Sequence, residues 1–162
     1  VYSVGEHPDC TLIEYTTTIR ARKEDVFQFH IRFENIKKII PPYPVIRILD
    51  APEILQKDET FSVGLFFLPL IGLFWESRVV EYEENSRFVD KQISIAPFKF
   101  WTHEHIFEQD REFCEITDRV LYKHHFGIFG KIFDYLFFRH SMRLFFYYRS
   151  IRLKKILSHN TI

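Results

Sequence analysis

Residues 101–123 read WTHEHIFEQDREFCEITDRVLYK. From Trp101 to Phe107 every second residue is a large aromatic or imidazole side chain, and from Cys114 to Tyr122 the alternate positions are Cys114, Ile116, Asp118, Val120 and Tyr122. A period of two belongs to a β-strand, whose successive side chains leave opposite faces. The polar break at Asp110 and Arg111 separates two such runs, so the stretch predicts an antiparallel hairpin. A tight turn there places His103 opposite Asp118 and Trp101 opposite Val120.

The same register arithmetic extends outward. A symmetric loop near Pro97 and Phe98 sets Asp90 against His105 and Gln92 against His103, and a turn at Glu84 and Asn85 brings Arg78 beside Gln92 and Tyr82 beside Phe88. One sheet face then carries Glu76, Arg78, Val80, Tyr82, Phe88, Asp90, Gln92, Trp101, His103, His105, Phe107 and the alternate residues Cys114 to Tyr122. The opposite face, with Lys91, Thr102, Glu104, Glu115, Thr117, Arg119 and Lys123, is solvated. A buried charge is costly unless paired or hydrated, so the first face implies a partly hollow interior where polar groups meet each other, ligand or trapped water.

Six strands fill the second part of the chain: Val45–Leu49, Thr60–Phe67, Leu73–Glu83, Arg87–Ile95, Phe100–Glu108 and Glu112–Lys123. Before them come a strand at Thr11–Arg20 and short helices at Lys23–Phe33 and Asn35–Ile40, the second stopped by Pro41-Pro42. After Gly127 and Gly130 a helical pattern runs to Leu157, roughly 40 Å at 1.5 Å per residue. Phe129, Phe133, Leu136, His140, Leu144, Tyr147 and Ile151 recur along it at three- and four-residue steps, a stripe expected to face the hollow. This is an α+β protein: a seven-stranded curved antiparallel sheet, in the order β-α-α-β-β-β-β-β-β-α, wrapped around a long C-terminal helix.

Composition bounds the function. A length of 162 residues fits one domain, 1–162, and 46% apolar against 27% charged residues excludes a disordered chain. Equal numbers of basic and acidic residues, 22 each, leave no net field to attract nucleic acid, and no such partner is expected. Two cysteines, Cys10 and Cys114, make neither a disulfide framework nor a thiolate zinc site, which suits a cytoplasmic protein. The nearly uncharged run Phe61–Trp75 contains Pro69 and is shorter than the roughly 20 residues of a membrane span, so no stable membrane insertion is expected. His7, Pro8 and Asp9 stand where an export signal would be apolar. Nineteen phenylalanines suit both ordinary core filling and an apolar pocket.

These residues resemble the helix-grip superfamily of polyketide cyclase and START-like ligand binders, abbreviated SRPBCC, and more narrowly its uncharacterised bacterial ligand-binding branch. The matching elements are Asp90 with Gln92, Trp101 with His103, His105 and Phe107, and Asp118 with Val120 and Tyr122. Asn35, Pro41-Pro42, Gly127, Gly130 and Arg149 also match, and Ala96 stands where a glycine is usual. The resemblance covers Thr11 to about Leu157. It implies a cavity for hydrophobic small molecules between sheet and terminal helix, and no universal catalytic residue transfers with it.

The leading expectation is a protein that binds a lipid, polyketide or isoprenoid-like molecule. The expected binding residues are Arg78, Asp90, Gln92, Trp101, His103, His105, Asp118, Tyr122, Phe133 and His140. His103 with Asp118 reads first as a hydrogen-bonded network, next as ligand recognition, and last as the acid/base pair of a cyclase, dehydratase or isomerase. His103 and His105 with Asp90 or Asp118 have metal-compatible spacing, but each histidine already has a carboxylate partner, so neither metal nor cofactor is expected. The basic residues Arg149, Arg152, Lys154 and Lys155 read as solvated helix end, with lipid transfer at a membrane surface as the third function.

Overall fold

A computed structural model describes residues 9–68, 71–95 and 97–158. His7, Pro8, Pro69 and Ala96 lie outside the described residues. The elements are β1 (Thr11–Ile19), α1 (Lys23–Ile31), α2 (Phe33–Ile39), β2 (Val45–Asp50), β3 (Thr60–Leu68), β4 (Ile71–Glu83), β5 (Arg87–Gln92), β6 (Phe100–Asp110), β7 (Phe113–Lys123), α3 (Gly127–Phe133) and α4 (Arg139–Leu157). A single π-helical turn, Asp134–Phe138, joins α3 to α4. The seven strands form one antiparallel sheet in the order β1-β7-β6-β5-β4-β3-β2.

Local chemistry sets the element ends. Glu24 and Asp25 lie in the first turn of α1, where carboxylates favour the helix dipole. Arg32 ends α1 in extended backbone and bridges to Ile54. Ile40 is extended ahead of Pro41, as a residue before proline must be, and closes α2.

The hairpin turn falls at Arg111 and Glu112, one residue later than the sequence predicts, and Arg111 takes the left-handed conformation at φ 54°. His105, not His103, is therefore the cross-strand partner of Asp118, Trp101 pairs with Tyr122, and Asp90 pairs with His103. Both registers move by two residues, which leaves every side chain on its predicted face.

In β4 the outcome differs. Tyr82 pairs with Phe88 as expected, but Val80 is an extra residue between Val79, opposite Asp90, and Glu81, opposite Val89. This bulge reverses the faces of the strand beyond it. Ser77 and Val79 are fully buried, while Glu76 and Arg78 face solvent. Val79 bonds through its carbonyl to Asp58 N–H at 2.8 Å and through its amide to Glu59 O at 2.9 Å, so the bulged strand finds its partners in the preceding turn. Arg78 is removed from the interior for this reason.

The terminal helix also turns its other side to the sheet. Phe146, Arg149, Leu153 and Leu157 are buried, and Phe138, Met142 and Phe145 pack beside them. The predicted stripe exists, but on the outside: Phe133 is 51% exposed, Leu144 68%, and His140 faces solvent.

Two apolar groups fill the concave side. One joins Val26 and Phe27 of α1 to Val79, Phe88, Phe107, Ile116 and Leu153; the other joins Ile13, Phe98, Trp101, Val120, Tyr122 and Phe146. Phe27 is fully buried, with edge-on contacts to Tyr82, Phe88 and Phe107. Phe27→Ala is expected to destabilise the protein by about 3–5 kcal/mol, read as a lowered urea midpoint with an unchanged slope.

Candidate functional site

Adjacent strands β5, β6 and β7 carry Asp90, His103, His105 and Asp118 on the concave face, and period-two geometry brings the four together. Asp118 is the hub. Its Oδ1 accepts a hydrogen bond from His103 Nε2 at 3.1 Å, lies 2.7 Å from His105 Nδ1, and is 3.3 Å from Arg149 Nη1 on α4. The His105 contact is short but off the line of a good hydrogen bond. The opposite edges of both rings face Asp90: His103 Nδ1 and His105 Nε2 each stand 3.8 Å from Asp90 Oδ2. The imidazole centroids are 3.9 Å apart.

Rings wall this polar group. Phe88 stacks on His105 at 4.2 Å, Phe146 meets His103 edge-on at 5.7 Å, and Trp101 lies 6.5 Å from His103. His30 of α1 approaches His105 at 6.3 Å and uses Nδ1 to donate to Val26 O at 2.8 Å. Its Nε2 is buried without a partner.

The electrostatics follow from burial and neighbours. Burial alone would raise the Asp118 pKa, but the Arg149 charge and the hydrogen bonds from His103 and His105 outweigh it and hold the carboxyl well below its ordinary value. Burial, aided by His105, lowers His103 despite Asp118 and Asp90. Burial, with Arg149 adding to it, pushes His30 down to about 3.

Of the expected binding residues, Asp90, His103, His105 and Asp118 come together as the candidate site, with Trp101 at its edge. Gln92 does not join them: its side-chain amide donates to Ser94 O at 2.9 Å and Phe98 O at 2.8 Å, securing the loop after β5. Tyr122 is fully buried, and its hydroxyl donates to Asp134 of the π-helical turn, which also binds Arg139 Nη2 at 2.6 Å. Arg78, Phe133 and His140 lie away from the cluster for the reasons of register and helix rotation given above. His140 instead lines a solvent-open groove of about 600 Å³ with Glu14, Tyr15, Arg143, Leu144 and Tyr147, between β1 and α4. A second open groove, about 520 Å³, lies near Arg20, Lys23, Gln109 and Glu112.

Two members escaped the sequence reading. Arg149 is 6% exposed, not part of a solvated basic end, and its signal was the inward spacing Phe146, Arg149, Leu153. His30 sits on the buried side of α1, which its spacing with Val26 and Phe27 marked, but nothing in the sequence linked it to β6.

No family model matches the chain, and no curated protein matches it. Solved structures do. The chain is similar to protein CV1439 of Chromobacterium violaceum, with a TM-score of 0.70 at 10% identity over 91% of this chain and 97% of that one. TTHA0849 of Thermus thermophilus gives 0.70 at 12% identity, covering 94% and 100%. Major latex-like protein 151 of Panax ginseng gives 0.67 at 11%, covering 92% and 98%. The shared architecture is the helix grip. At such identity the likeness concerns the fold, a curved antiparallel sheet closed by a long C-terminal helix.

His30 supplies a pH test of the site, with Arg149, His105 and Asp118 as the groups that face it. The unfolded chain protonates this residue near pH 6.5, the folded chain only near 3, so its stabilising contribution is complete above 6.5 and is lost as the pH falls through that window. Urea titrations are expected to show wild-type stability dropping by about 1.4 kcal/mol more per pH unit between pH 6 and 4 than His30→Leu.

Proposed function

We propose that the chain is an SRPBCC-type binding protein that holds a small hydrophobic molecule between β1 and α4, with the polar end directed toward His103. The observation that carries this reading is the nearness of groove and cluster, with the buried Phe146 ring between them. Tyr15, on the groove wall, stacks on Phe146 at 5.9 Å, and Phe146 touches His103, whose side chain keeps 13% of its surface exposed. The volume of about 600 Å³ lies within the range of small-molecule sites, and Tyr15, Leu144 and Tyr147 offer apolar wall. Each Å² of ligand surface buried there contributes about 25 cal/mol.

Binding is favoured over proton-transfer catalysis. A general base must reach its substrate, and His103, the base of such a pair, keeps 13% of its side chain exposed and lies behind the buried Phe146 ring. Cys10 and Cys114 are both free, which suits a reducing compartment such as the cytoplasm.

Lipid exchange at a membrane is a second reading, favoured by the outer face of α3 and the π-helical turn. Phe126, Ile128, Phe129, Ile132, Phe133 and Leu136 are all at least 50% exposed. No helix among the described residues is long and apolar enough to cross a membrane. The face does suit shallow insertion into an anionic bilayer: Lys131 and Arg143 flank it, and its one acid, Asp134, is buried against Arg139. This places membrane contact at the start of the helix, not at the basic end suggested by sequence.

Native mass spectrometry of protein purified from cells is expected to retain a lipid-like adduct, and a fatty acid, polyketide or isoprenoid at a hundredfold excess over Kd is expected to stabilise by about 2.7 kcal/mol. Leu144→Arg should abolish that shift; absence of both adduct and shift in the wild type removes the reading. For the membrane reading, sedimentation with phosphatidylserine vesicles should weaken at least about tenfold in Phe129→Glu/Phe133→Glu and in high salt. Wild-type protein that ignores the vesicles but dimerises through this face would replace the bilayer with a second copy.

A further inference from the structure

Two imidazole nitrogens and a carboxylate oxygen converge on one point beside Asp90. Asp118 Oδ1 lies against His103 Nε2 and His105 Nδ1, at 3.1 and 2.7 Å, distances at which an unprotonated nitrogen would be repelled by the carboxylate. His103 Nε2, which hydrogen-bonds the carboxylate, therefore carries its ring proton, and the short though poorly aligned His105 Nδ1 contact favours the same orientation of the second ring. In that tautomer the other ring nitrogens, His103 Nδ1 and His105 Nε2, carry the lone pairs, and it is these that face Asp90. Both lone-pair nitrogens face Asp90 Oδ2 at 3.8 Å, too far for a hydrogen bond. Two ring nitrogens and a carboxylate oxygen thus edge one gap, an arrangement that a cation between them would satisfy.

We propose that Asp90, His103 and His105 bind a zinc-sized divalent transition-metal ion. One ligand atom from each residue lies within 4.8 Å of the others. Bonds of about 2.1 Å to a common ion hold neighbouring donors about 3 to 3.5 Å apart, so small side-chain rotations close the site. The donor set, two imidazoles and one carboxylate, suits zinc or iron(II) and leaves coordination positions open. Asp118 plays the supporting part: it accepts the His103 Nε2 hydrogen bond and lies 2.7 Å from His105 Nδ1, opposite the metal-facing nitrogens, which orients both rings. Arg149 in turn neutralises that carboxylate.

This reverses the weight of an argument made from sequence. There a carboxylate partner for each histidine counted against metal. In the fold one carboxylate serves both rings from behind, and the other stands in front of both. The site goes beyond ligand binding in the β1–α4 groove and does not depend on it.

The test uses full-length protein stripped with a chelator and titrated with cobalt(II), followed by its visible ligand-field absorption. One equivalent is expected to bind saturably and to be displaced by zinc(II). Asp90→Asn and His105→Gln should each weaken binding at least tenfold, Asp118→Asn by about 10- to 100-fold, and His125→Gln, a histidine outside the cluster, should leave it unchanged. Where a cluster variant fails to fold, as judged by circular dichroism, the wild-type protein still decides: zinc should shift the ring nitrogen resonances of His103 and His105 and spare those of His125. No saturable cobalt or zinc binding by the wild type at about 0.1 mM free metal, or unchanged binding in a folded Asp90→Asn/His105→Gln variant, overturns the proposal. Ligand retention by the metal-free protein is read separately, so either result stands without the other.

Discussion

The fold closes over a buried carboxylate. Asp118 is 2% exposed and would be untenable alone in that position, since removing an ion from water without a partner costs several kcal/mol. It is tolerated because β6 supplies two imidazoles and α4 supplies Arg149, all directed at one oxygen. Those contacts tie the sheet to the helix at a defined height and rotation. A purely apolar stripe could slide by a turn along the concave face; a guanidinium that must meet one carboxylate cannot. The rotation of α4, and hence which of its residues face water, is therefore set by a polar contact embedded between the two apolar groups.

That same contact explains which parts of the architecture were legible. Side chains were assigned to the correct sides of β5, β6 and β7, although the hairpin turn was placed one residue early and the outer side is not wholly solvated: Thr102 and Glu104 are buried, Glu104 against Arg87. Moving a two-strand register by two residues changes partners and not faces, so Asp90, His103, His105 and Asp118 converged in either register. His103 still reaches Asp118, along the diagonal instead of straight across. In β4 a single extra residue, Val80, was enough to send Arg78 out and Ser77 in. Alternation of residue types carries no mark of such a bulge when both candidate faces contain polar and apolar side chains, as Trp75 to Val80 do.

The terminal helix was misread for a related reason. Two stripes run along it, and the more apolar one, through Phe133, Leu144 and Tyr147, was taken as the buried one. The stripe that is buried includes Arg149 and Ser150, residues ordinarily assigned to solvent. Hydrophobic spacing identifies the face of a helix only when the core it meets is apolar. Here the core is charged at its centre, and the complementary face had to be charged as well. The apolar residues left outside divide between the two proposed readings: Leu144 and Tyr147 line the groove beside β1, and Phe129, Phe133 and Leu136 lie at the start of the helical segment.

The two buried aspartates separate structure from chemistry. Asp118 has three nitrogen groups within 3.3 Å of one oxygen and nothing more to offer; it builds the site. Asp90 stands at 3.8 Å from both imidazoles, close enough to feel them and too far to bond. Neither ring nor the Asp90 side chain closes that gap to hydrogen-bond distance. On the other side Asp118 hydrogen-bonds His103 Nε2 and lies against His105 Nδ1, which turns the opposite ring edges toward Asp90. A cation between two ring nitrogens and a carboxylate oxygen would occupy that unclosed edge, which is why a metal ion is its proposed occupant.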